Sequence, residues 1–82
     1  VKDLVVFPNP TTDNITYSLP IGLTSADYVI ELYDNIGALI YSTKRSGGGT
    51  ITQSFKEYHS GIYTLKVTND KVQYMQKVIV TK

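Results

Sequence analysis

Apolar and polar side chains alternate with a period of two along most of this chain, and that period is typical of half-buried β-strands. The alternation places Tyr28 and Tyr63 on the inward-facing sides of their strands. Seven segments rich in β-branched and aromatic residues are predicted as strands: residues 3–7, 15–19, 28–33, 38–43, 50–55, 61–68 and 73–80. No stretch predicts a helix of useful length.

Residues that favour turns separate these segments. Pro8 and Pro10 have no backbone N–H to donate to a sheet. Residues 34–37, Asp-Asn-Ile-Gly, predict a turn that ends in a glycine of positive φ. The glycines at 47–49 predict a pliable connection, and residues 69–70 predict a hairpin turn. Short strands with turns about every 8 to 12 residues predict an all-β fold, a seven-stranded antiparallel β-sandwich.

Residues 61–65, Gly-Ile-Tyr-Thr-Leu, sharpen this prediction to an Ig-like Greek key. Tyr63 precedes the inward Leu65 by two residues, as in a tyrosine corner, where the hydroxyl group bonds to an upstream backbone group. The other interpretation is that Tyr63 is simply one more inward aromatic on an alternating strand. The chain has no Trp and no Cys, so it is Ig-like in architecture and not an antibody-type domain.

Composition excludes several classes of function. Eight basic and seven acidic residues give a net charge of +1, and the basic residues are scattered, so no nucleic acid partner is expected. The absence of cysteine excludes disulfides, thiolate metal sites and a Cys nucleophile. No apolar run approaches the roughly 18 residues of a membrane span. The 82 residues form at most one domain, and we expect it to be a piece of a larger protein.

The sequence offers no convincing catalytic or metal site. The single histidine, His59, has only the local neighbours Glu57 and Ser60, which are too close in sequence to form a triad easily. Four carboxylates lie beside predicted turns, where bonding to the local backbone is favoured over acid–base catalysis or Ca²⁺ binding: Asp13, Asp27, Asp34 and Asp70. We therefore predict no enzyme activity, no catalytic residue, no metal and no cofactor.

Seven tyrosines are a high content for a chain of this length. An exposed row of them on a sheet would bind sugar rings by stacking, and the candidates are Tyr17, Tyr33, Tyr41 and Tyr74. The favoured alternative is cross-strand pairing of these rings within a thin sandwich.

Four short segments follow one another in a characteristic order. They are Phe-Pro-Asn-Pro at 7–10, Leu-Tyr-Asp-Asn-Ile-Gly at 32–37, Gly-Ile-Tyr-Thr-Leu-Lys-Val at 61–67 and Val-Ile-Val-Thr-Lys at 78–82. In sequence and spacing they resemble the type A C-terminal sorting domain of the type IX (Por) secretion system, an export signal of Bacteroidetes. The resemblance runs from Leu4 to Lys82 and departs from the usual pattern at 46–50, which is rich in glycine, and at 74–77.

The resemblance implies that residues 1–82 are a single C-terminal sorting domain with a covalently attached N-terminal cargo. It further implies recognition by the type IX outer-membrane translocon, transit through the periplasm to the cell surface or medium, and removal by a surface sortase near or before Val1. The candidate recognition residues are those shared with the family that a sandwich does not obviously require: Pro8, Asn9, Pro10, Gly37, Gly61, Lys66 and Lys82. For the two glycines, a backbone angle that suits glycine is an equal explanation.

The C-terminal strand is expected to pair with residues 61–68 and to leave an open edge that templates a partner strand. Thr81 and Lys82 would then be free for a receptor, and their deletion would stop export with little effect on stability. The alternative function is a small Ig-like or carbohydrate-binding accessory domain of a secreted hydrolase or adhesin. A purely structural spacer domain is a third possibility.

Overall fold

β-Strands account for the regular secondary structure of the described part of the chain. The computed structural model describes residues 2–18, 27–47, 49–69 and 72–82. The strands are β1 (Lys2–Asp3), β2 (Val6–Phe7), β3 (Asn14–Ser18), β4 (Asp27–Tyr33), β5 (Leu39–Ser46), β6 (Thr50–Ser54), β7 (Gly61–Thr68) and β8 (Gln73–Val80). Within these ranges no helix is long and apolar enough to cross a membrane. The predictions that concern Val1, Leu19, Gly48 and Asp70 fall outside the described residues.

The strands form two sheets that pack as a sandwich. The five-stranded sheet has the order β1-β8-β7-β4-β5, and the three-stranded sheet has the order β2-β3-β6. The chain crosses between the sheets after β1, β3, β5 and β6. This arrangement, with β7 between β8 and β4 in one sheet and β3 beside β6 in the other, is that of an Ig-like sandwich. The predicted all-β sandwich is confirmed.

The segment predicted as one strand at residues 3–7 is divided between the two sheets. β1 pairs in parallel with β8, whereas β2 pairs antiparallel with β3. Leu4 and Val6 are both buried, while Val5 between them is exposed. Because the two buried side chains enter the core as the chain crosses over, this short segment lines one edge of each sheet and still removes apolar surface from water.

The core lies between the sheets, and the neighbouring strands β4 and β7 of the five-stranded sheet each contribute alternating inward side chains to it. Tyr28 and Tyr63 are buried as predicted. The register places Ile30 opposite Val67 and Leu32 opposite Leu65 across the two strands. The completely buried side chains are Ile15, Tyr17, Ile30, Leu32, Phe55, Leu65, Val67, Val78 and Val80. Burial of each large apolar side chain contributes about 1.5–3 kcal/mol, so this layer is the main source of stability.

Tyr63 forms a tyrosine corner at the start of β7. Its hydroxyl donates a hydrogen bond of 2.7 Å to the carbonyl oxygen of His59. Its ring meets Phe55 edge-on at 5.6 Å between centroids, and Tyr58 lies 5.8 Å from each of them. The first of the two interpretations of Tyr63 is therefore confirmed, and the aromatic cluster fixes the connection between β6 and β7.

The turn after β4 is held by the side chain of Asp34. Its Oδ1 accepts hydrogen bonds from the backbone N–H groups of Ile36 (3.0 Å) and Ala38 (2.9 Å). Gly37 has a φ of 86°, and a Cβ atom built on it would meet nothing within 4 Å. The backbone angle, and not lack of space, therefore favours glycine here, as the sequence predicts.

Candidate recognition surface

Asn9 is bonded to the outer edge of β8. Its Nδ2 donates to the carbonyl oxygen of Lys77 at 2.9 Å, and its Oδ1 accepts from the backbone N–H of Ile79 at 2.9 Å. The side-chain amide thus makes the two hydrogen bonds that a neighbouring strand would make. The side chain of this predicted recognition residue is thus bound within the domain.

Thr11 extends this cover toward the C-terminus. Its N–H donates to the carbonyl oxygen of Ile79, and its own carbonyl oxygen accepts from the N–H of Thr81, both at 2.8 Å. Its buried hydroxyl donates to the carbonyl oxygen of Asn14 at 2.6 Å. Since β1 pairs with the beginning of β8, the N-terminal segment borders β8 near both of its ends. The expectation of an open terminal edge strand is therefore wrong.

Pro8 and Pro10 flank Asn9 and are both exposed. The peptide bonds that precede them are both cis. Their rings lie on the surface beside the edge of β8, where Asn9 holds the segment. All three neighbouring residues are exposed, and the Asn9 side chain is held by its two hydrogen bonds to β8.

Lys82 is bonded to the connection between β6 and β7. Its Nζ donates to the carbonyl oxygens of Phe55 at 2.7 Å and Lys56 at 2.8 Å. Its backbone N–H donates to the Oγ of Ser60 at 2.8 Å. The terminal lysine therefore joins the end of the chain to the aromatic cluster, and its ammonium group is engaged by backbone carbonyls.

A groove of about 530 Å³ lies on the outer face of the five-stranded sheet. Residues that line it include Tyr33, Asn35, Gly37, Ile62, Lys66 and Lys77. The Nζ of Lys66 lies 3.9 Å from Oε1 of Glu31, and both side chains are partly buried. Lys77 is exposed and has no ion pair among the residues described. Two predicted recognition residues, Gly37 and Lys66, thus share this groove.

Gly61 begins β7 directly beside the groove residue Ile62. It pairs with Val80 and has a φ of 159°, close to fully extended backbone. A Cβ atom there would make an ordinary contact of 3.9 Å with the ring of Tyr63. The requirement for glycine that the sequence suggests is therefore clear at Gly37 and weak at Gly61.

Three isoleucines extend the groove into an exposed apolar patch. Ile36, Ile62 and Ile79 retain 83%, 50% and 41% of their accessible surface. Ile62 and Ile79 stand opposite each other on β7 and β8. The sequence signal for Ile62 and Ile79 is an apolar residue at an outward strand position, whereas Ile36 lies in the turn after β4. We call the groove together with these three isoleucines the outer-face surface.

The predicted row of sugar-binding tyrosines does not form. Tyr17 is completely buried and Tyr74 retains only 8% of its accessible surface. Tyr41 stands opposite the buried Leu32, whereas Tyr33 lines the groove on the outer face. The two rings that stay accessible therefore lie on opposite faces of the sheet.

The structure supplies no catalytic constellation in its described part. His59 is exposed, and its carbonyl oxygen accepts the hydrogen bond of Tyr63. No group of three or more His, Asp or Glu side chains is placed to hold a metal ion within the described ranges. Asp34 bonds the local backbone as predicted.

Comparisons with known proteins identify a family and two curated relatives. The family model described as secretion system C-terminal sorting domain matches residues 5–81. An ulvan lyase of Nonlabens ulvanivorans is 36% identical over 81 residues, which are 98% of this chain and 15% of the lyase. An endo-acting ulvan lyase of Formosa agariphila is 29% identical over 80 residues, which are 96% of this chain and 15% of that protein. The chain thus spans 15% of the length of these curated relatives.

Proposed function

The chain belongs to the family of secretion system C-terminal sorting domains, the type IX export signals, and we propose that the outer-membrane translocon recognises it as a folded unit. The domain directs export to the cell surface or the medium. In this proposal it performs no chemistry itself. A cargo domain precedes it in the full protein, and by analogy with the relatives that cargo is a secreted polysaccharide lyase.

The contact with the translocon is proposed at the outer-face surface. Its groove and isoleucines combine accessible apolar area with the cations Lys66 and Lys77. Exposed apolar patches on a small domain mark interaction sites, and a cationic rim selects a partner of opposite charge. The groove and the patch lie together with Lys77, which has no ion pair among the described residues, and this arrangement is the observation that supports the proposal.

The recognition residues proposed from the sequence divide into two groups in this scheme. Gly37, Lys66 and the exposed Pro8 and Pro10 are available to a partner directly. Asn9 and Lys82 act on recognition through the fold, because their side chains bind other segments of the domain. Gly61 acts through its neighbour Ile62.

The remaining steps of the route are also proposals. The domain folds in the periplasm, crosses with its cargo, and is then cut away by a surface sortase at a bond near or before Val1. A folded domain with both ends fastened is a compact substrate for such a machine, and the scissile bond lies outside the core.

The alternative function, a carbohydrate-binding accessory domain that uses a row of tyrosines, is not favoured. The row fails because Tyr17 and Tyr74 are buried. We therefore propose export sorting as the function.

The test is export of a reporter fused to the N-terminus of the domain in a type IX-competent host. We expect the intact domain to carry the reporter to the surface and Lys77→Glu to leave it in the periplasm. Lys44→Glu is the matched control, because Lys44 is exposed on β5 and does not line the groove. Thermal melts establish that both variants fold.

The experiment distinguishes failure of the proposed contact surface from failure of the proposed sorting function. Normal export of the folded Lys77→Glu variant would exclude the groove as the contact while leaving the sorting function intact. No export with the intact domain would contradict the sorting function itself.

A further inference from the structure

A second cleft, of about 310 Å³, lies where the open side of the sandwich brings β5 near the end of β6. It is lined by Tyr41, Gln53, Ser54, Lys56, Glu57 and Tyr58. We infer that this cleft binds a single pyranose ring of a carbohydrate. The inference does not depend on the outer-face surface or on export, because neither Tyr41 nor Tyr58 lines that groove.

The two tyrosines supply the apolar part of the site. Both are half-buried and pack against the core, so part of each ring faces the cleft. Burial raises the pKa of Tyr58, and the adjacent Glu57 carboxylate and the Tyr41 hydroxyl add to this effect. All three groups line the cleft. Aromatic rings in such a position offer flat faces for the C–H groups of a sugar.

The polar lining matches the hydroxyl groups of a sugar. The amide of Gln53 both donates and accepts, and the carboxylate of Glu57 accepts. The ammonium of Lys56 lies 4.0 Å from Oδ2 of Asp13 and has further N–H groups to donate. Lys56 and Glu57 carry opposite charges, so the cleft has no net charge from its lining. An uncharged pyranose therefore suits it better than an anionic one.

The wall of the cleft is held rigid before any ligand arrives. The ring of Tyr58 packs against Phe55 and Tyr63 at 5.8 Å between centroids. The N–H of Tyr58 donates to the carbonyl oxygen of Phe55 at 3.1 Å, and the ammonium of Lys82 binds the carbonyl oxygens of Phe55 and Lys56. A preformed wall lowers the entropy lost on binding, which is the main obstacle for a small ligand.

The size of the cleft limits the ligand and its affinity. Small-molecule sites span about 300–1,000 Å³, so this one takes one ring and not a long oligosaccharide. For a ligand of that size a Kd of about 1 mM is expected. Such weak binding becomes useful when the glycan offers many copies of the sugar.

The experiment is an NMR titration of the ¹⁵N-labelled 82-residue chain. The probes are methyl β-D-glucoside, methyl α-L-rhamnoside and methyl β-D-glucuronide, each taken to about 20 mM, well above the expected Kd. We expect saturable shifts at Gln53 and residues 56–58 with at least one neutral pyranoside, and weaker shifts with the glucuronide. Tyr41→Ala should weaken binding by about 2- to 12-fold, whereas Tyr41→Phe should retain it because the ring remains.

Tyr33→Ala is the matched control, since Tyr33 lies on the opposite face of the sheet. Once a sugar binds, lipopolysaccharide and a soluble polysaccharide that carry that sugar are compared, which identifies the surface or the medium as its source. The inference is overturned if no pyranoside shifts these resonances, or if Tyr33→Ala weakens binding as much as Tyr41→Ala does.

Discussion

Replacement of Lys82 by alanine is expected to lower stability measurably, although the residue stands at the exposed end of the chain. The change removes the two hydrogen bonds from Nζ to the carbonyl oxygens of Phe55 and Lys56, at 2.7 and 2.8 Å. Hydrogen bonds to charged groups contribute about 1.5–3 kcal/mol each when they are well shielded. Because solvent reaches this site, we expect about 1–2 kcal/mol for the pair, which corresponds to about 4–16 °C in a domain of this size.

Thermal unfolding followed by circular dichroism measures this effect, and Lys77→Ala provides the matched control. Lys77 is also an exposed lysine near the C-terminus, but no hydrogen bond or ion pair from its side chain occurs among the described residues. We expect Lys77→Ala to stay within about 0.5 kcal/mol of the parent. If the two variants melted at the same temperature, the ammonium of Lys82 would not stabilise the fold.

This prediction changes how a C-terminal truncation is interpreted. Deletion of Thr81 and Lys82 also removes the bonds from their backbone N–H groups to Thr11 and Ser60. The truncation should therefore cost about 2–4 kcal/mol in total, a large share of the roughly 5–15 kcal/mol that stabilises a small domain. A loss of export after truncation would therefore reflect a weakened fold as well as any lost contact with a receptor.

Substitutions at three further positions test the fold at other points. Asn9→Ala removes both hydrogen bonds to β8 and should cost about 1–3 kcal/mol in urea unfolding; an unchanged midpoint would contradict the role of the amide. The Tyr17 hydroxyl is buried with no hydrogen-bond partner among the described residues, so Tyr17→Phe should be neutral or stabilise by about 1 kcal/mol. Burial also raises the pKa of Tyr17. The folded state therefore favours the neutral hydroxyl, so stability is unaffected below the ordinary tyrosine pKa of about 10 and falls as the pH rises further. Tyr17→Phe should lose less stability above that pH, and equal losses would contradict this. Tyr63→Phe, which breaks the hydrogen bond to His59, should cost about 1 kcal/mol, whereas Tyr63→Ala should cost about 3–5 kcal/mol. If the two variants melted at the same temperature, the ring would contribute no more to stability than the hydroxyl.

Local sequence patterns predicted the parts of the fold that depend on local physics. The alternation in β4 and β7 assigned the inward faces correctly, because one face of each strand is buried and the period of side chains is two. The Asp34 turn and the tyrosine corner of Tyr63 were also predictable, because each is closed by a hydrogen bond to a residue at most four positions away.

The sequence already indicated that two of the tyrosines proposed for an exposed row, Tyr17 and Tyr74, point inward. Tyr17 shares a strand face with Ile15, and Tyr74 shares one with Val78, so the phase of each strand already pointed the ring inward. The division of the first predicted strand between two sheets was not accessible in this way. It depends on pairing between residues about 70 positions apart, which no local period encodes.

The same limit explains why the candidate site was only partly predicted. Resemblance to the family selected Asn9 and Lys82 without showing what they contact. Asn9 bonds residues 68 and 70 positions away, and Lys82 bonds residues 26 and 27 positions away. Such contacts appear only once the chain is folded. The isoleucines of the outer-face surface were missed because each is ordinary by itself, and they form a patch only through the pairing of β7 with β8 and the position of the Asp34 turn.

The positions of the residues in the four short segments suggest how a sorting domain presents its signal. Asn9 and Lys82 fasten the two ends of the chain to the sandwich, and Tyr63 and Gly37 shape the two connections nearest the groove. Motif residues with such partners are fixed by the requirements of the fold, whereas the side chains left free to meet a partner, such as Lys77, Ile62 and Ile79, lie mostly outside the short motifs or on outward positions within them. If the proposed outer-face surface is the contact, such a domain would present its signal as a surface that forms only when both ends of the chain are bonded to the sandwich. Recognition of that surface would therefore select folded chains, and a translocon that binds it would reject a domain whose first or last residues had come loose.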